Sequence, residues 1–340
     1  MSKIQDKIQK WSRSLCGKYL RPGYEPHVPD RINIETASAC NLRCACCPHG
    51  VARNTMRPAG VMSMDTFRQI LLHIDIPIRQ TYLHLHGEPF LNPNLTDFVG
   101  ELNSRHIVVN LYSNCTVFGE MQLETILKSS RVNINFSADL LGKEYYEGLR
   151  VGADFMDTLN RLDSVNLIFA RYNKFFNLII IVDGRYQELT DELTGCCEQL
   201  YARYSNLNRI ILGSRFPWPR LPWTGDLDGH LVQGHQRCSY AFEGLSVLWN
   251  GDVTMCSFDY TGECVVGSLL DDTYSQLFND ASARHFRMLH WRHRNNELPL
   301  CKDCLLDRYV PMSLTLHRAA FLNNDYHGKK QTIESFFRIG

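Results

Sequence analysis

Short apolar runs alternate with amphipathic segments over the first two thirds of the chain. The runs are rich in Val, Ile, Leu and aromatic residues, which favour strands, whereas the segments between them space apolar residues three or four apart, as helices do. The strand candidates are Ile32–Thr36, Thr81–Leu85, Ile107–Tyr112, Val132–Phe136, Leu178–Val182 and Arg209–Leu212, with helices such as Met64–Ile74, Met121–Lys128, Phe155–Asp163 and Leu189–Tyr204 between them. This alternation predicts an α/β fold with a parallel sheet, whose functional loops lie at the carboxyl ends of the strands.

The flanking segments depart from this alternation. Residues 1–20 predict a basic amphipathic helix, which we expect to pack on the main domain rather than to dock on a membrane. Residues 214–237 are rich in Pro and Trp and predict either a surface linker or a lid that contacts substrate through Trp218, Arg220 or Trp223. We therefore divide the chain into a lead-in at 1–30, a main domain at 31–213, the linker at 214–237 and a C-terminal domain at 238–340.

Composition narrows the class of protein. The chain has 340 residues, and its 36 Lys and Arg balance its 36 Asp and Glu, so no net field attracts nucleic acid. The chain has 13 cysteines, and its charged N-terminus contains no apolar signal segment. Together these features indicate reduced or metal-bound thiols in the cytoplasm. The sequence contains no run of about 18 apolar residues, so it predicts no integral membrane helix.

Three closely spaced cysteines follow the first strand. Cys40, Cys44 and Cys47 have the spacing C-x3-C-x2-C, and a loop leaving a strand can wrap such thiolates around one inorganic core. Soft thiolates select iron–sulfur clusters, zinc or Cu(I). Zinc sites usually draw on C-x2-C pairs, and three ligands on a four-iron cluster would leave one iron open for chemistry. Cys46 competes with Cys47 for the third ligand position, but only Cys47 completes the C-x3-C-x2-C spacing.

A second group of cysteines lies in the C-terminal domain. Leu245–Trp249 and Asp252–Cys256, joined by Asn250-Gly251, predict a hairpin with a type I′ turn. The hairpin can bring Cys256 close to Cys238, and the last members of the group are the C-x2-C pair Cys301 and Cys304. Four thiolates close a site completely, as in structural zinc or a fully ligated iron–sulfur cluster.

Together the two cysteine patterns resemble the radical S-adenosylmethionine (radical SAM) superfamily. The first resembles the triplet that holds a [4Fe–4S] cluster, whose open iron takes S-adenosylmethionine, and the second resembles the C-terminal twitch module, a shortened SPASM extension with one auxiliary [4Fe–4S] cluster. This resemblance implies a partial (β/α)6 barrel over about 31–213 and a small C-terminal α+β iron–sulfur module. It implies a first cluster on Cys40, Cys44 and Cys47 and an auxiliary one on Cys238, Cys256, Cys301 and Cys304.

The resemblance also implies a cofactor pocket at the strand ends. His84-Leu-His-Gly-Glu-Pro89 is similar to the family element that binds the methionine ammonium, and Arg150-Val-Gly152 is similar to an Arg-x-Gly element that suits the methionine carboxylate. The cofactor-binding candidates are Gly87, Glu88, Ser113, Asn114, Ser137 and Arg150. Cys115 and Cys264 are candidate hydrogen donors to a substrate radical. Glu88, Asp139, Asp259, His84 and Arg150 all remain open as the group that removes the substrate proton.

The implied activity is that of a radical SAM oxidoreductase. A flavodoxin- or ferredoxin-type donor would reduce the first cluster, S-adenosylmethionine would yield a 5′-deoxyadenosyl radical, and this radical would take hydrogen from an unactivated C–H bond. The auxiliary cluster would then accept an electron, which favours dehydrogenation of a small sugar, aminocyclitol or nucleoside. The alternatives are a maturase of a ribosomally made peptide, a radical epimerase with a cysteine hydrogen donor, and a non-catalytic zinc-stabilised binding protein.

Overall fold

The computed structural model describes residues 29–182, 190–215, 217–221, 238–306 and 313–319. The predicted N-terminal helix, Cys16 and Trp223 lie outside these ranges. Within them the strands join into one sheet in the order β10-β6-β5-β4-β3-β2-β1-β7-β8-β9. Their bounds are β1 Arg31–Ile34, β2 Gln80–Tyr82, β3 Val108–Ser113, β4 Val132–Ser137, β5 Phe176–Ile181, β6 Leu207–Gly213, β7 Ser246–Val247, β8 Asp252–Thr254, β9 Val265–Ser268 and β10 Ser313–His317.

Strands β1 to β6 pair in parallel along the chain order, with helices between them. The helices are Pro48–Val51, Met64–His73, Leu95–Ser104, Glu120–Lys128, Lys143–Leu149, Phe155–Arg171 and Asp191–Arg203, followed in the C-terminal part by Tyr274–Phe278 and Ala281–Trp291. Alternate strand residues such as Ile32 and Ile34 are buried in the core against these helices. The predicted α/β fold with a parallel barrel-like sheet is confirmed. None of the described helices combines the length and apolar character that crossing a membrane requires.

Two predicted elements differ in extent from the observed ones. Strand β2 ends at Tyr82 rather than Leu85, because the chain turns towards the cysteine loop, where the Thr36 hydroxyl donates to the Leu83 carbonyl at 3.2 Å. The helix predicted at Phe155–Asp163 continues to Arg171, since Val165 and Ile168 extend its buried face. The earlier end of β2 places the polar residues that follow it at the carboxyl edge of the sheet.

The C-terminal residues extend the same sheet at both ends. Strand β7 pairs in parallel with β1, and β10 returns to pair antiparallel with β6. The predicted hairpin is present as β7 and β8, but its turn is not type I′. Only Gly251 has a positive φ, of 93°, and its N–H donates to the Leu248 carbonyl at 2.9 Å. These features define a type I turn followed by a left-handed glycine, which suits a three-residue hairpin loop.

Candidate functional site

The loop with the first three cysteines follows β1 and ends at a short helix. Cys47 caps the helix Pro48–Val51, and its own N–H donates to the Cys44 carbonyl at 3.1 Å. A Cβ on Gly50 would lie 2.2 Å from that same carbonyl oxygen. The loop therefore requires a glycine at this position, because a backbone carbonyl cannot move aside as a flexible side chain can.

A second segment holds the middle of the cysteine loop. The N–H of Arg43 donates to the Val151 carbonyl and the N–H of Ala45 to the Leu149 carbonyl, both at 2.9 Å. These two bonds flank Arg150 and fix it opposite Cys44. The Nη1 of Arg150 lies 3.7 Å from the Cys44 sulfur. The predicted Arg-x-Gly element thus lies against the predicted cluster ligands.

Arg150 is buried and has one unused donor. Its Nε donates to the Asp139 carboxylate, whose other oxygen accepts from the Ile181 N–H, whereas its Nη2 has no partner. Asp139 holds the pKa of the Arg150 guanidinium well above its usual value despite the opposing effect of burial. A buried cation with a free N–H suits the carboxylate of a bound amino acid. The residues present therefore fit the methionine part of S-adenosylmethionine.

Each sulfur of the first three cysteines lies close to an N–H group. Cys40 interacts with the Leu42 N–H and lies 3.9 Å from the Asn114 amide nitrogen, and Cys47 interacts with the His49 N–H. Burial raises the pKa of the Cys40 thiol to about 11. A thiolate in such surroundings needs a positive partner, which an iron–sulfur core supplies. The donor set fits a cluster.

Gly87 and Glu88 brace the cysteine loop. A Cβ on Gly87 would lie 2.2 Å from the Ala37 carbonyl oxygen, so the glycine permits contact with the chain itself. The Glu88 carboxylate accepts from the Asn114 N–H at 2.7 Å and the Phe90 N–H at 3.2 Å. Burial raises its pKa to about 7. Both carboxylate oxygens are thus occupied by backbone groups, which indicates a structural role for this side chain.

The other predicted pocket residues lie at the ends of β3 and β4. Asn114 donates to the Asn41 side chain at 2.9 Å, next to Cys40. The Ser113 hydroxyl is buried and accepts from the Cys115 N–H, and Ser137 is half-buried as the last residue of β4. Asn114 is therefore the member of this group that the structure brings to the cysteine loop.

The two candidate hydrogen donors are both buried. Cys115 follows the end of β3 and is fully buried in the hydrophobic core. Cys264 lies in the C-terminal part, where its N–H donates to the Asp259 carboxylate at 2.8 Å and its side chain is buried in the core. Their role as hydrogen donors to a substrate radical stays a prediction.

Asp259 was one of the candidate proton acceptors. Its carboxylate accepts from the Thr254 and Thr261 hydroxyls and from the N–H groups of Gly262, Glu263 and Cys264. It is fully buried. A carboxylate with this many donors is a loop anchor, because each bond stabilises its charged form and leaves no free lone pair for a substrate.

The four C-terminal cysteines line one largely apolar cavity. About 370 Å3 of space, part of it open to solvent, lies between its walls. The walls are formed by Pro219, Cys238, Tyr240, Ala241, Cys256, Phe286, His290, Asn295, Leu300, Cys301, Cys304 and Leu306. The hairpin with Cys256 and the C-x2-C pair of Cys301 and Cys304 therefore converge, as the sequence pattern indicates. Among the described residues, no three His, Cys, Asp or Glu side chains converge closely enough to hold a single metal ion.

Backbone N–H groups point at these sulfurs as well. The Phe258 N–H donates to Cys256 at 3.4 Å and the Leu306 N–H to Cys304 at 3.5 Å, while Cys238 interacts with the Tyr240 N–H. The Cys301 sulfur lies 3.6 Å from the His290 Nε2. Hydrogen bonds to sulfur are a means by which proteins tune iron–sulfur clusters, so this donor set fits one.

The described part of the linker lies between the two cysteine sites. The Trp218 indole donates to the Cys46 carbonyl at 2.9 Å, and its ring lies 5.0 Å from the Phe258 ring and 5.9 Å from the His86 ring. Arg220 instead forms an ion pair with Glu263. Trp218 therefore covers the cysteine loop, whereas Arg220 fastens the linker to the C-terminal part.

Sequence reasoning missed a buried polar cluster beside the cysteine loop, formed by Glu35, Arg57 and His86. These residues come from the ends of β1 and β2 and from the loop after the cysteines, and Arg57 contacts both of the others. The available signal was Glu35, a charged residue directly after an apolar strand. Its partners could not be identified, because they meet only through the pairing of β1 with β2.

Comparisons with known proteins agree with this arrangement. Residues 238–305 match the SPASM family, an iron–sulfur cluster-binding domain. No curated protein sequence matches the chain. Solved structures do match, and three of them are described next.

The chain is 17% identical to BtrN in complex with AdoMet and 2-DOIA, with a TM-score of 0.52 over 82% of this chain and 94% of that one. It is 17% identical to anSMEcpe with bound AdoMet, with a TM-score of 0.56 over 77% and 84%. It is 13% identical to Streptococcus suis SuiB bound to the precursor peptide SuiA, with a TM-score of 0.60 over 84% and 71%. The chain thus shares the partial-barrel fold of these structures, and its residues 238–305 match the SPASM iron–sulfur cluster-binding domain.

Proposed function

We propose that this chain is a radical SAM oxidoreductase that removes hydrogen from an unactivated C–H bond of a small polar substrate. The supporting observation is the juxtaposition of Cys44 with Arg150, which has an unpaired buried Nη2. It brings thiolate ligands and a carboxylate-binding donor to one end of a parallel sheet, where active sites of such sheets lie. S-adenosylmethionine is the cofactor that needs both a thiolate-bound cluster and a donor for its carboxylate.

In this proposal Cys40, Cys44 and Cys47 hold the first cluster, and Arg150 binds the methionine carboxylate. With S-adenosylmethionine bound, the reduced cluster supplies the one-electron chemistry that takes a hydrogen atom from the substrate. Asp139 keeps Arg150 charged and oriented, and the indole of Trp218 covers Cys46 and restricts the access of water to the loop. The protein thus positions the reactants and excludes competing hydrogen donors.

Cys238, Cys256, Cys301 and Cys304 hold the auxiliary cluster in this proposal. Their cavity has apolar walls and is separated from the cysteine loop by Trp218 and Phe258. A second redox centre next to the first supports a net two-electron oxidation of the substrate. We therefore favour a dehydrogenation of a sugar, aminocyclitol or nucleoside, with the auxiliary cluster as electron acceptor. This reaction also needs an external flavodoxin- or ferredoxin-type donor and a reducing compartment such as the cytoplasm.

The similar structures bind two kinds of substrate. BtrN holds 2-DOIA, a small molecule, whereas SuiB holds a precursor peptide. A peptide is therefore the second candidate for this chain, and it could bind along a strand edge. The small molecule has the support of the near-complete coverage of BtrN, 94% of its chain.

The deciding experiment is anaerobic purification followed by cluster reconstitution and reduction. We expect about eight irons per chain and release of 5′-deoxyadenosine from S-adenosylmethionine, as two four-iron clusters require. Mass spectrometry of deuterium transferred into 5′-deoxyadenosine then separates deuterated aminocyclitols and sugars from deuterated peptides. Two zinc ions per chain without cleavage of S-adenosylmethionine would exclude the proposal.

A further inference from the structure

Glu35, Arg57 and His86 form a cluster at the carboxyl ends of neighbouring parallel strands. Glu35 follows β1, and its carboxylate accepts from the Arg57 Nη2 at 2.5 Å and from the His86 N–H at 3.3 Å. Its other oxygen accepts from the N–H of Trp249, just after β7, at 3.4 Å. The Arg57 N–H donates to the Tyr260 carbonyl at 3.1 Å. The cluster therefore lies where the barrel meets the SPASM domain.

The contact between Arg57 and His86 fixes the histidine tautomer. The His86 Nδ1 lies 2.8 Å from the Arg57 Nη2 and 3.3 Å from the Glu35 carboxylate. Arginine nitrogens can only donate, so we assign Nδ1 as the acceptor of the shorter contact, which leaves the ring hydrogen on Nε2. His86 consequently presents an N–H donor on the side of its ring that faces away from Arg57.

This cluster has donors without acceptors. The side chains of Glu35, Arg57 and His86 are 0%, 8% and 1% exposed. The Arg57 Nε and Nη1 and the His86 Nε2 have no partner, whereas both oxygens of Glu35 are used. Unpartnered buried donors are costly, so three of them in one cluster are expected to be satisfied by a bound group.

We propose that Arg57 and His86 form an oxyanion-binding site that takes a carboxylate or phosphate group of the substrate. Such a group has only acceptors, which complements a set of free donors, and arginine and neutral histidine N–H groups both suit it. Glu35 is a positioning residue, because it orients Arg57 without an oxygen free for a ligand. The Trp218 ring, 5.9 Å from the His86 ring, forms a wall of the site.

This inference rests on the proposed function, because it names the substrate class of the same active site. The methionine carboxylate is the other possible oxyanion. Arg150 already offers a free donor beside Cys44, so we expect S-adenosylmethionine to bind there and to leave the Arg57–His86 site open. The two sources can be separated by competition.

The test is calorimetric titration of inorganic phosphate, and separately of acetate, into the reconstituted holoenzyme with saturating S-adenosylmethionine. We expect one site per chain. His86→Asn retains an acceptor for Arg57 but removes the Nε2 donor, so we expect at least about tenfold weaker binding. His86→Gln, which can place an amide N–H near the Nε2 position, should recover part of the affinity.

Two further variants guard against unfolding. Glu35→Gln combined with Arg57→Met removes both charges together, so that no buried carboxylate is left alone, and it should also abolish binding. His73→Asn changes a half-buried histidine at the end of a helix, outside the cluster, and should bind phosphate as the wild type does.

The outcomes are distinct. Absence of phosphate and acetate binding, unchanged affinity in His86→Asn, or competition by S-adenosylmethionine would each overturn the site. Release of 5′-deoxyadenosine by the wild type is measured in the same preparation. Release without oxyanion binding means that this inference alone fails, whereas no release means that the proposed function fails.

Discussion

The two cysteine sites differ in how the chain builds them. The first uses three cysteines from one short loop at the end of β1, next to the buried ion pair of Arg150 and Asp139. The second draws its four cysteines from segments up to 66 residues apart and surrounds them with apolar walls. The first site contains a buried ion pair, whereas the walls of the second are largely apolar. We expect this difference in polarity to assign separate tasks to the two sets of thiols.

We expect the largest difference between the two sites when single cysteine ligands are removed. We expect Cys44→Ala to abolish 5′-deoxyadenosine release, because the first cluster is lost. Cys304→Ala should retain release and lose the complete oxidation of substrate. Iron analysis should give about four irons per chain in either variant. Cys196→Ala, on the helix Asp191–Arg203 and away from both sites, is the control. Equal loss of release in both ligand variants would contradict separate tasks.

The ion pair at the first site should matter more than any exposed one. Arg150→Met leaves the Asp139 carboxylate buried without its cation, and we expect the free energy of unfolding to fall by about 3–5 kcal/mol. Affinity for S-adenosylmethionine should fall in parallel. Arg203→Met removes an exposed pair with Asp163 and should cost about 0–1 kcal/mol. Chemical denaturation and equilibrium dialysis measure the two effects, and similar costs for both variants would count against the buried pair.

Backbone contact at the first site can be tested with a methyl group. Gly87→Ala places a Cβ against the carbonyls of Ala37 and Ala39, and we expect a loss of about 3 kcal/mol together with poor iron incorporation at the first site. The matched control is Gly100→Ala, within the helix Leu95–Ser104 and with nothing within 4 Å of the new Cβ. This control should gain about 0.5–1 kcal/mol. If Gly87→Ala changed neither the stability nor the iron incorporation, the cysteine loop would pack less tightly against Gly87 than the structure indicates.

Burial of a histidine should also make the barrel side sensitive to acid. Burial lowers the pKa of His84 to about 4. The unfolded chain takes up this proton below about pH 6.5 while the folded chain does not, so stability falls as the pH falls. Between pH 7 and pH 5 we expect a loss of about 2 kcal/mol from this residue. Thermal unfolding of wild type and His84→Gln at the two pH values should show a smaller difference for the variant.

Local patterns predicted the fold and the cysteine sets well. Apolar runs identified β1 to β6, and the cysteine spacings identified two groups that the structure brings together as the loop after β1 and the C-terminal cavity. Arg150 could be anticipated because Arg150-Val-Gly152 resembles an Arg-x-Gly element, and the structure gives Gly152 a φ of 98°, which favours glycine. Such features depend on neighbours in sequence, so a single sequence contains them.

Features that depend on distant segments were not predictable. The carboxylate of Glu88 accepts from the N–H groups of Phe90 and Asn114, and the sequence did not identify these partners. Gly50 is required because a Cβ at this position would meet the Cys44 carbonyl, and no local pattern reveals that contact. The turn type at Asn250-Gly251 differed because the loop has three residues rather than two. In each case tertiary contact, and not propensity, decides the role.

The placement of β7 beside β1 and of β10 beside β6 has a consequence for how the protein matures. The segment with the auxiliary cysteines begins and ends on opposite borders of the barrel sheet, where β7 and β10 cover two strands that would otherwise present unpaired backbone groups. In the proposed function, iron bound to these cysteines would hold the segment in place. Uncovered borders of this kind template association between chains. We therefore expect chains made under iron starvation to form aggregates, rather than soluble protein that lacks only its second cluster.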